Sequence, residues 1–246
     1  MKYQINEKSK ALSANLHYGR FLLLNEFIGI FKPTTNMPLN IAVLGGSKSE
    51  VEIKHLETLN LSLRVTTFGI DQDSDIESDL NKPIVGFTNQ FDLVLCNQVL
   101  EHLDNPQQCL SSIVDMAKSH GFIWITCPAS NIYHLSPDYY SAGYQSKFIS
   151  NYIKSKGVTI LDEGTLGSER LYHWTHFFQC WPSKNVHENP FLRGLEQRFI
   201  IQKLMISFKY LLPNLFSLTW SKKNLRNHPL ATESYVAAIK PYKTKI

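Results

Sequence analysis

The chain has 246 residues, and its 25 Lys and Arg against 21 Asp and Glu give a formal net charge of +4. Hydrophobic residues make up 43% of the sequence and aromatic residues 12%, which is enough for a buried core and excludes a wholly disordered chain. We read neither a secretory signal nor an apolar run of about 18 residues that could span a membrane, and we expect a cytoplasmic location.

Helical and strand-like segments alternate along the chain. A periodic apolar pattern predicts a helix that ends near Ile30, and Pro33 then breaks it. Buried strands are predicted at 41–44, 63–70, 91–96, 122–127, 158–161 and 234–239, a weaker one at 84–87, and helices at 49–59, 106–118 and 145–156. This alternation predicts an α/β fold with a doubly wound, mostly parallel sheet, an N-terminal helical segment and a helical insert before the last strand.

The insert, residues 169–229, differs from the rest in charge. Residues 1–168 carry 13 basic and 17 acidic residues, whereas residues 169–246 carry 12 basic and 4 acidic ones. Its helical pattern at 191–212 has two apolar faces, so the second face needs a partner: the main domain, a twin subunit or a lipid surface. We predict one domain, 1–168 plus 230–246, that carries a basic, aromatic-rich insert.

Two features lie where an open parallel sheet binds ligands, beyond the carboxyl ends of its strands. The turn Gly45-Gly46-Ser47 follows the first strand, where small residues let the backbone approach a ligand. Asp71 ends the second strand and is placed to bind ribose hydroxyls. Each feature has an alternative interpretation. The glycines can be turn chemistry alone, and Asp71 can be a helix cap or a turn aspartate, with Asp73 and Asp75 nearby as other candidates for the ligand contact.

The sequence from Phe91 to Pro106, FDLVLCNQVLEHLDNP, closely resembles the fourth-strand motif of class I S-adenosylmethionine-dependent methyltransferases of the type 11-like family. Residues 121–128 resemble the fifth strand of that family, and the resemblance covers about residues 40–163. It implies a Rossmann-like methyltransferase fold with S-adenosylmethionine as cofactor. The implied cofactor-binding residues are Gly45, Gly46, Ser47, Asp71, Asp79, Leu80, Asn97, Gln98 and Val99.

The first motif departs from this family. Val43 stands where the family has an acidic residue, and Ser47 and Ser49 stand where it has its second and third glycines. The departure supports an alternative, a non-catalytic binding module that keeps the fold but has a degenerate cofactor motif. A metal site is not expected, because the four cysteines form no close pair and read as reduced structural thiols.

Residues on the acceptor side should follow the fifth strand. The segment His134–Tyr140 resembles a loop of bacterial methyltransferases linked to surface polysaccharide synthesis. We predict His134 as general base, with a packed loop histidine as the alternative, and we interpret His102 as fixing the turn after the fourth strand. The predicted substrate-binding residues are Tyr133, Asp138, Tyr139, Tyr140 and His173.

These observations predict O-methylation of a small or carbohydrate acceptor, such as a nucleotide- or lipid-linked sugar in polysaccharide biosynthesis. The basic insert suggests an anionic acceptor, although a solvated basic face explains the charge equally well. Nucleic acid is not expected as a partner, because the basic residues are interleaved with bulky aliphatic ones. A homodimer and a membrane-surface contact both remain compatible with the sequence.

Overall fold

The computed structural model describes residues 18–33, 38–131, 138–167, 172, 226–227 and 229–242. Its helices are α1 Tyr18–Ile30, α2 Val51–Thr58, α3 Pro106–Met116 and α4 Ser146–Ser155, with one 3₁₀ turn at Leu100–His102. Its strands are β1 Leu39–Leu44, β2 Leu63–Gly69, β3 Ile76–Glu77, β4 Phe91–Asn97, β5 Ala117–Pro128, β6 Thr159–Leu166 and β7 Glu233–Ile239. None of these helices is long and apolar enough to cross a membrane.

The seven strands form one sheet in the order β3-β2-β1-β4-β5-β7-β6. Neighbours from β3 to β5 pair in parallel, whereas β7 lies antiparallel between β5 and β6. The order reverses at β1, where β2 lies on one side and β4 on the other. The predicted doubly wound, mostly parallel α/β fold is confirmed, and this reversal is where such sheets bind ligands.

Both faces of the sheet are buried, as the near-continuous apolar strands require. In β4, Leu93 and Leu95 join a core with α1 and α2, while Val94 and Cys96 point to the opposite core, with α3 and α4. This alternation follows from the two-residue period of a strand. Cys96, Cys109 and Cys127 are buried free thiols, which agrees with the structural role predicted for them.

Strand β3 was predicted in the wrong place. The sequence indicated a strand at 84–87, but the edge strand is the two-residue Ile76–Glu77, and the amide of Ser78 extends its pairing to the carbonyl of Gly69. Pro83 lacks an amide for a ladder, and Gly86 adopts a φ of 89° that no regular strand accommodates. Ile84 packs on the core instead, and its amide donates to Ser112 Oγ.

Two boundaries also differ from the sequence-based ones. Helix α2 begins at Val51, after Glu50, rather than at 49. Strand β5 begins at Ala117 rather than at 122: Ala117 pairs with Phe91 and Phe122 with Leu93, so the parallel pairing is irregular between these two points. The predicted insert, 169–229, lies almost entirely outside the described residues, so its boundaries stay a prediction.

Candidate active site

A cavity of about 410 Å³ opens at the carboxyl ends of β1, β2 and β4. One side, which we call the strand wall, is formed by Gly45, Gly69, Ile70, Asp71, Gln98 and Val99 at the strand ends. The opposite side, the loop wall, is formed by His102, Asp138 and Tyr140. Ser78, Asp79, Leu80 and Asn81, which follow β3, and Leu103 complete the lining. The volume falls within the usual range of small-molecule sites.

Gly45 shapes the strand wall because no other residue fits there. It has a φ of +65°, and its amide donates to the carbonyl of Phe68 at 2.7 Å. A Cβ at this position would lie 2.7 and 2.8 Å from the two methyl groups of Val99, which real contacts do not allow. The backbone is therefore bare where it faces the cavity, and a ligand can approach it closely.

Asp71 is the carboxylate that the second strand presents to the cavity. Asp75, one alternative, accepts hydrogen bonds from the amide of Thr67 at 2.9 Å and from Lys48 Nζ at 2.6 Å. The hydrogen bond from Lys48 holds the pKa of Asp75 below its usual range. Asp73, the other alternative, is exposed and does not line the cavity. Among the three, the geometry favours Asp71 for binding a ligand's hydroxyl groups.

Apolar side chains lie beside Asp71. Ile70 lines the cavity although 73% of its surface is exposed, and Leu80 faces it from the loop after β3. Asp79, next to Leu80, pairs with Lys82 at 3.0 Å, and this hydrogen-bonded contact lowers the pKa of Asp79. A flat apolar group bound between Ile70 and Leu80 would remove exposed hydrocarbon from water, which favours binding.

Gln98 connects the strand wall to a half-buried carboxylic acid. Its backbone has a φ of +57°, an uncommon conformation for a residue other than glycine, and its amide donates to the carbonyl of Thr126 at 2.9 Å. The side-chain Nε2 donates to Glu233 Oε2 at 3.2 Å. Burial raises the pKa of Glu233 to about 8, although the charge of Arg20 acts in the opposite direction.

A pair of carboxylates lies behind the Gly45-Gly46 turn. Asn97 Nδ2 donates to Glu50 Oε2 at 3.0 Å and to Glu52 Oε2 at 3.1 Å, and Arg20 pairs with Glu50 at 2.5 Å. Burial raises the pKa of the Glu52 carboxyl, which is fully enclosed. Val43, where the related motif has an acid, is buried in the apolar core. Helix α2 and the residue that precedes it, and not β1, thus provide the acidic groups near this turn.

The loop wall is held by hydrogen bonds to the 3₁₀ turn that follows β4. The carbonyl of Glu101 accepts hydrogen bonds from the amides of Tyr140 at 2.9 Å and Ser141 at 3.2 Å. The ring Nδ1 of His102 lies 2.6 Å from the carbonyl oxygen of Asp138. His102 therefore does fix this turn, as the sequence suggested, and it lines the cavity as well.

The predicted site residues fall into three groups. Gly45, Asp71, Asp79, Leu80, Gln98, Val99, Asp138 and Tyr140 line the cavity. Gly46, Ser47, Asn97 and Tyr139 lie nearby without lining it, and the Tyr139 hydroxyl donates to the carbonyl of Asn131 at 2.9 Å. Tyr133, His134 and His173 lie outside the described residues. For all of them a role in binding or catalysis stays a prediction.

Sequence reasoning assigned no site role to Ile70, Ser78, Asn81 or Leu103, which line the cavity next to predicted positions. Each is a chain neighbour of a motif residue, and this adjacency was the available signal. The altered motif positions Ser47 and Ser49 bond to each other through their hydroxyl groups at 2.6 Å, outside the cavity lining. Neither serine is among the residues that line the cavity.

Residues 67–125 match the family model described as "Methyltransferase domain". A search of the curated proteins finds no match. Similar solved structures include a Galdieria sulphuraria protein described as a sarcosine dimethylglycine methyltransferase, with 11% identity, a TM-score of 0.53 and coverage of 91% of this chain and 86% of that one. Phosphoethanolamine N-methyltransferase 2 of Haemonchus contortus, in complex with S-adenosyl-L-methionine, has 13% identity and a TM-score of 0.51 over 97% of this chain and 59% of that one.

A third similar structure is coclaurine N-methyltransferase, with 12% identity, a TM-score of 0.51 and coverage of 90% of this chain and 72% of that one. At such low identity these structures show the fold, and the fold is the Rossmann-like methyltransferase fold. The matched stretch runs from β2 to β5 and includes Asp71, Gln98 and His102. The domain match over residues 67–125 and the fold together support methyltransferase activity.

Proposed function

We propose that this methyltransferase binds S-adenosylmethionine in the 410 Å³ cavity and transfers its methyl group to a small-molecule acceptor held at the loop wall. The observation that carries the proposal is the strand wall. It combines a bare backbone turn at Gly45, the carboxylate of Asp71 and the exposed side chain of Ile70 at the reversal point of the sheet.

These residues fit the parts of the cofactor. Asp71 would accept hydrogen bonds from the ribose hydroxyl groups, and Ile70 and Leu80 would flank the adenine ring. The Gly45 turn and the Gln98 backbone would lie along the methionine part of the cofactor. The cofactor supplies an activated methyl group on a sulfonium. The chain has to orient the acceptor in line with it, an effect worth several kcal/mol.

The acceptor is proposed to be an anionic carbohydrate or other small molecule that is methylated on oxygen, as in surface polysaccharide synthesis. Asp138 and Tyr140 face the cavity and can hydrogen-bond a polar acceptor, and His134 is proposed as general base. The basic residues of 169–246 support an anionic group. We further propose that 169–229 covers the acceptor or forms a dimer or membrane-surface contact in a cytoplasmic protein.

A labelling assay tests the proposed activity. S-adenosylmethionine with an isotopically labelled methyl group is incubated with the protein and the dialysable fraction of an extract of its source cells. We expect label in a small-molecule product, and mass spectrometry then shows whether oxygen or nitrogen carries it. A nitrogen-linked methyl would overturn the O-methylation proposal. No transfer, together with no detectable binding of S-adenosylhomocysteine by calorimetry, would overturn the proposed function as a whole.

A further inference from the structure

We propose that Arg20 of helix α1 is a positioning residue for the cofactor, and that its positive charge, acting through Glu50 and Asn97, keeps the strand wall in its binding conformation. This inference rests on the proposed function, since the strand wall is where the cofactor is proposed to bind. Arg20 does not line the cavity, so its effect on binding must pass through other residues. Its side chain is 23% exposed, so most of it is enclosed by the protein.

Arg20 holds a carboxylate that lies against the glycine turn. Its Nη2 donates to Glu50 Oε2 at 2.5 Å, and the Glu50 amide donates to the carbonyl of Ser47 at 3.2 Å. A Cβ built on Gly46 would lie 2.8 Å from Glu50 Oε1, so this carboxylate occupies the space that a side chain at position 46 would need. The ion pair therefore fixes a group that adjoins the Gly45-Gly46 turn.

The same carboxylate reaches the end of β4. Asn97, the last residue of β4, donates from Nδ2 to Glu50 Oε2 at 3.0 Å, and its Oδ1 accepts a hydrogen bond from Thr126 Oγ1 at 2.9 Å. Gln98 and Val99, which line the cavity, follow directly in the chain. One oxygen of Glu50 thus joins α1 to the strand end that leads into these two residues.

Arg20 is the cation that balances the carboxylates in this part of the described structure. Its Nη2 lies 3.8 Å from Glu52 Oε2, and its charge also acts on Glu233 of β7, close to the further negative charge of Glu101. Burial raises the pKa of Glu52 and of Glu233, and the charge of Arg20 opposes this rise in both. Without Arg20, Glu50 and Glu52 would repel each other in a poorly solvated place. That repulsion falls only if the carboxylates move apart or take up protons.

The attachment of α1 to the sheet does not rest on this ion pair alone. Leu23, Leu24 and Phe27 are buried in the core that α1 shares with α2, and the ring of Phe27 lies 5.4 Å from that of Trp124. These apolar contacts hold the helix through the hydrophobic effect. A change of charge at Arg20 should therefore alter the turn and cofactor binding while the fold remains.

Three variants separate the charge of Arg20 from its packing. Arg20→Met keeps an unbranched side chain and removes the charge, Arg20→Lys keeps the charge, and the double variant Arg20→Met/Glu50→Gln removes one positive and one negative group together. Arg64→Met, at an exposed position of β2, is the matched control. Calorimetry with S-adenosylhomocysteine measures the affinity at pH 6, 7 and 8, and urea denaturation measures the stability of each protein.

We expect Arg20→Met to bind S-adenosylhomocysteine about ten- to a hundredfold more weakly at pH 8, the usual effect of a lost charge-assisted hydrogen bond. The loss should shrink at pH 6, because protonation of the carboxylates removes their repulsion. The double variant should regain most of the affinity, since it carries one carboxylate fewer. Arg20→Lys should lose less than Arg20→Met, and Arg64→Met should bind as the unmodified protein does.

An unchanged affinity in Arg20→Met would overturn the assignment. A variant that no longer folds would overturn it as well, because α1 would then depend on Arg20 for its attachment. A loss that is equal at the three pH values and is not restored by Glu50→Gln would show that Arg20 acts through its shape, which also contradicts the proposal. Absence of binding by the unmodified protein, in contrast, would count against the proposed function itself.

Discussion

The two walls of the cavity are built in different ways. The strand wall consists of residues at the ends of β1, β2 and β4, whose strands are buried in the sheet and pair along their lengths. The loop wall is held by a few hydrogen bonds, two from the Glu101 carbonyl and one from His102 to the Asp138 carbonyl. The strand wall thus has little freedom to move, whereas the loop wall depends on the turn at Leu100–His102.

This difference agrees with the proposed roles of the two walls, in which the strand wall binds the cofactor and the loop wall holds the acceptor. The proposed cofactor is the same whichever acceptor is methylated, so its binding residues can be part of the sheet edge. Acceptors differ, and loops on a rigid scaffold change without loss of the core. Changes in the strand wall should therefore affect cofactor binding and stability together, whereas changes in the loop wall should affect methyl transfer at constant cofactor binding.

The largest effect is expected for Gly45→Ala. The alanine must adopt the positive φ of this position, and its Cβ would lie 2.7 Å from a Val99 methyl group. Strain and overpacking together should lower the free energy of unfolding by roughly 2–5 kcal/mol and abolish binding of S-adenosylhomocysteine. Urea denaturation and calorimetry measure the two quantities.

Gly157→Ala is the matched control for this change. Gly157 also has a positive φ, 84°, but nothing lies within 4 Å of a Cβ there. The free energy of unfolding of the Gly157→Ala variant should fall by about 1–2 kcal/mol through backbone strain alone, and its affinity for S-adenosylhomocysteine should stay unchanged. Equal losses of stability and binding in the two variants would show that the contact with Val99 does not shape the site.

A smaller effect is expected for Asp71→Ala. Loss of a charge-assisted hydrogen bond to the ribose costs about 1.5–3 kcal/mol, so the affinity for S-adenosylhomocysteine should fall roughly tenfold or more. Asp73→Ala serves as control, because Asp73 is exposed two residues away and does not line the cavity. If calorimetry gave an unchanged affinity for Asp71→Ala, the ribose would have to bind elsewhere along the strand wall.

A further prediction concerns the pH dependence of stability. The pKa of Glu233 is raised to about 8 in the folded protein, against about 4.3 for an unfolded glutamate. The folded chain therefore binds this proton more tightly. Its stabilising contribution is complete below pH 4.3 and is lost as the pH rises to about 8, by at most about 1.4 kcal/mol per pH unit.

Glu233→Gln removes this titration, since a glutamine side chain cannot ionise. Between pH 5 and 8, the free energy of unfolding of the variant should fall less steeply than that of the unmodified protein, as measured by denaturation at each pH. Glu57→Gln, at an exposed position of α2, is the control and should leave the slope unchanged. Identical slopes for all three proteins would show that Glu233 is ionised throughout this range.

The sequence was most informative for the strand wall. Gly45 and Asp71 end strands whose apolar runs are unambiguous, and the motif around Gln98 and Val99 is a continuous segment, so spacing along the chain was sufficient to place them. Strand β3 was misplaced because two residues, Ile76 and Glu77, are too short to show a period. Edge strands of this length are fixed by their pairing and leave no pattern in the sequence.

The network behind the cavity could not be predicted in the same way. Arg20, Glu50, Asn97 and Glu233 come from four segments far apart in the chain, and their contacts exist because the sheet brings those segments together. The sequence of helix α2 has the pattern of an amphipathic helix, so no local pattern predicts that one of its carboxylates is buried. The same holds for His102, whose bond to the Asp138 carbonyl spans 36 residues.

The most direct test of the account is a crystal structure of the protein with S-adenosylhomocysteine. We predict the ribose hydroxyl groups on the carboxylate of Asp71, the adenine ring between Ile70 and Leu80, and the sulfur on the side of the cavity that His102 and Tyr140 face. A cofactor bound away from the strand wall, or a cavity without ligand at a saturating concentration, would contradict it.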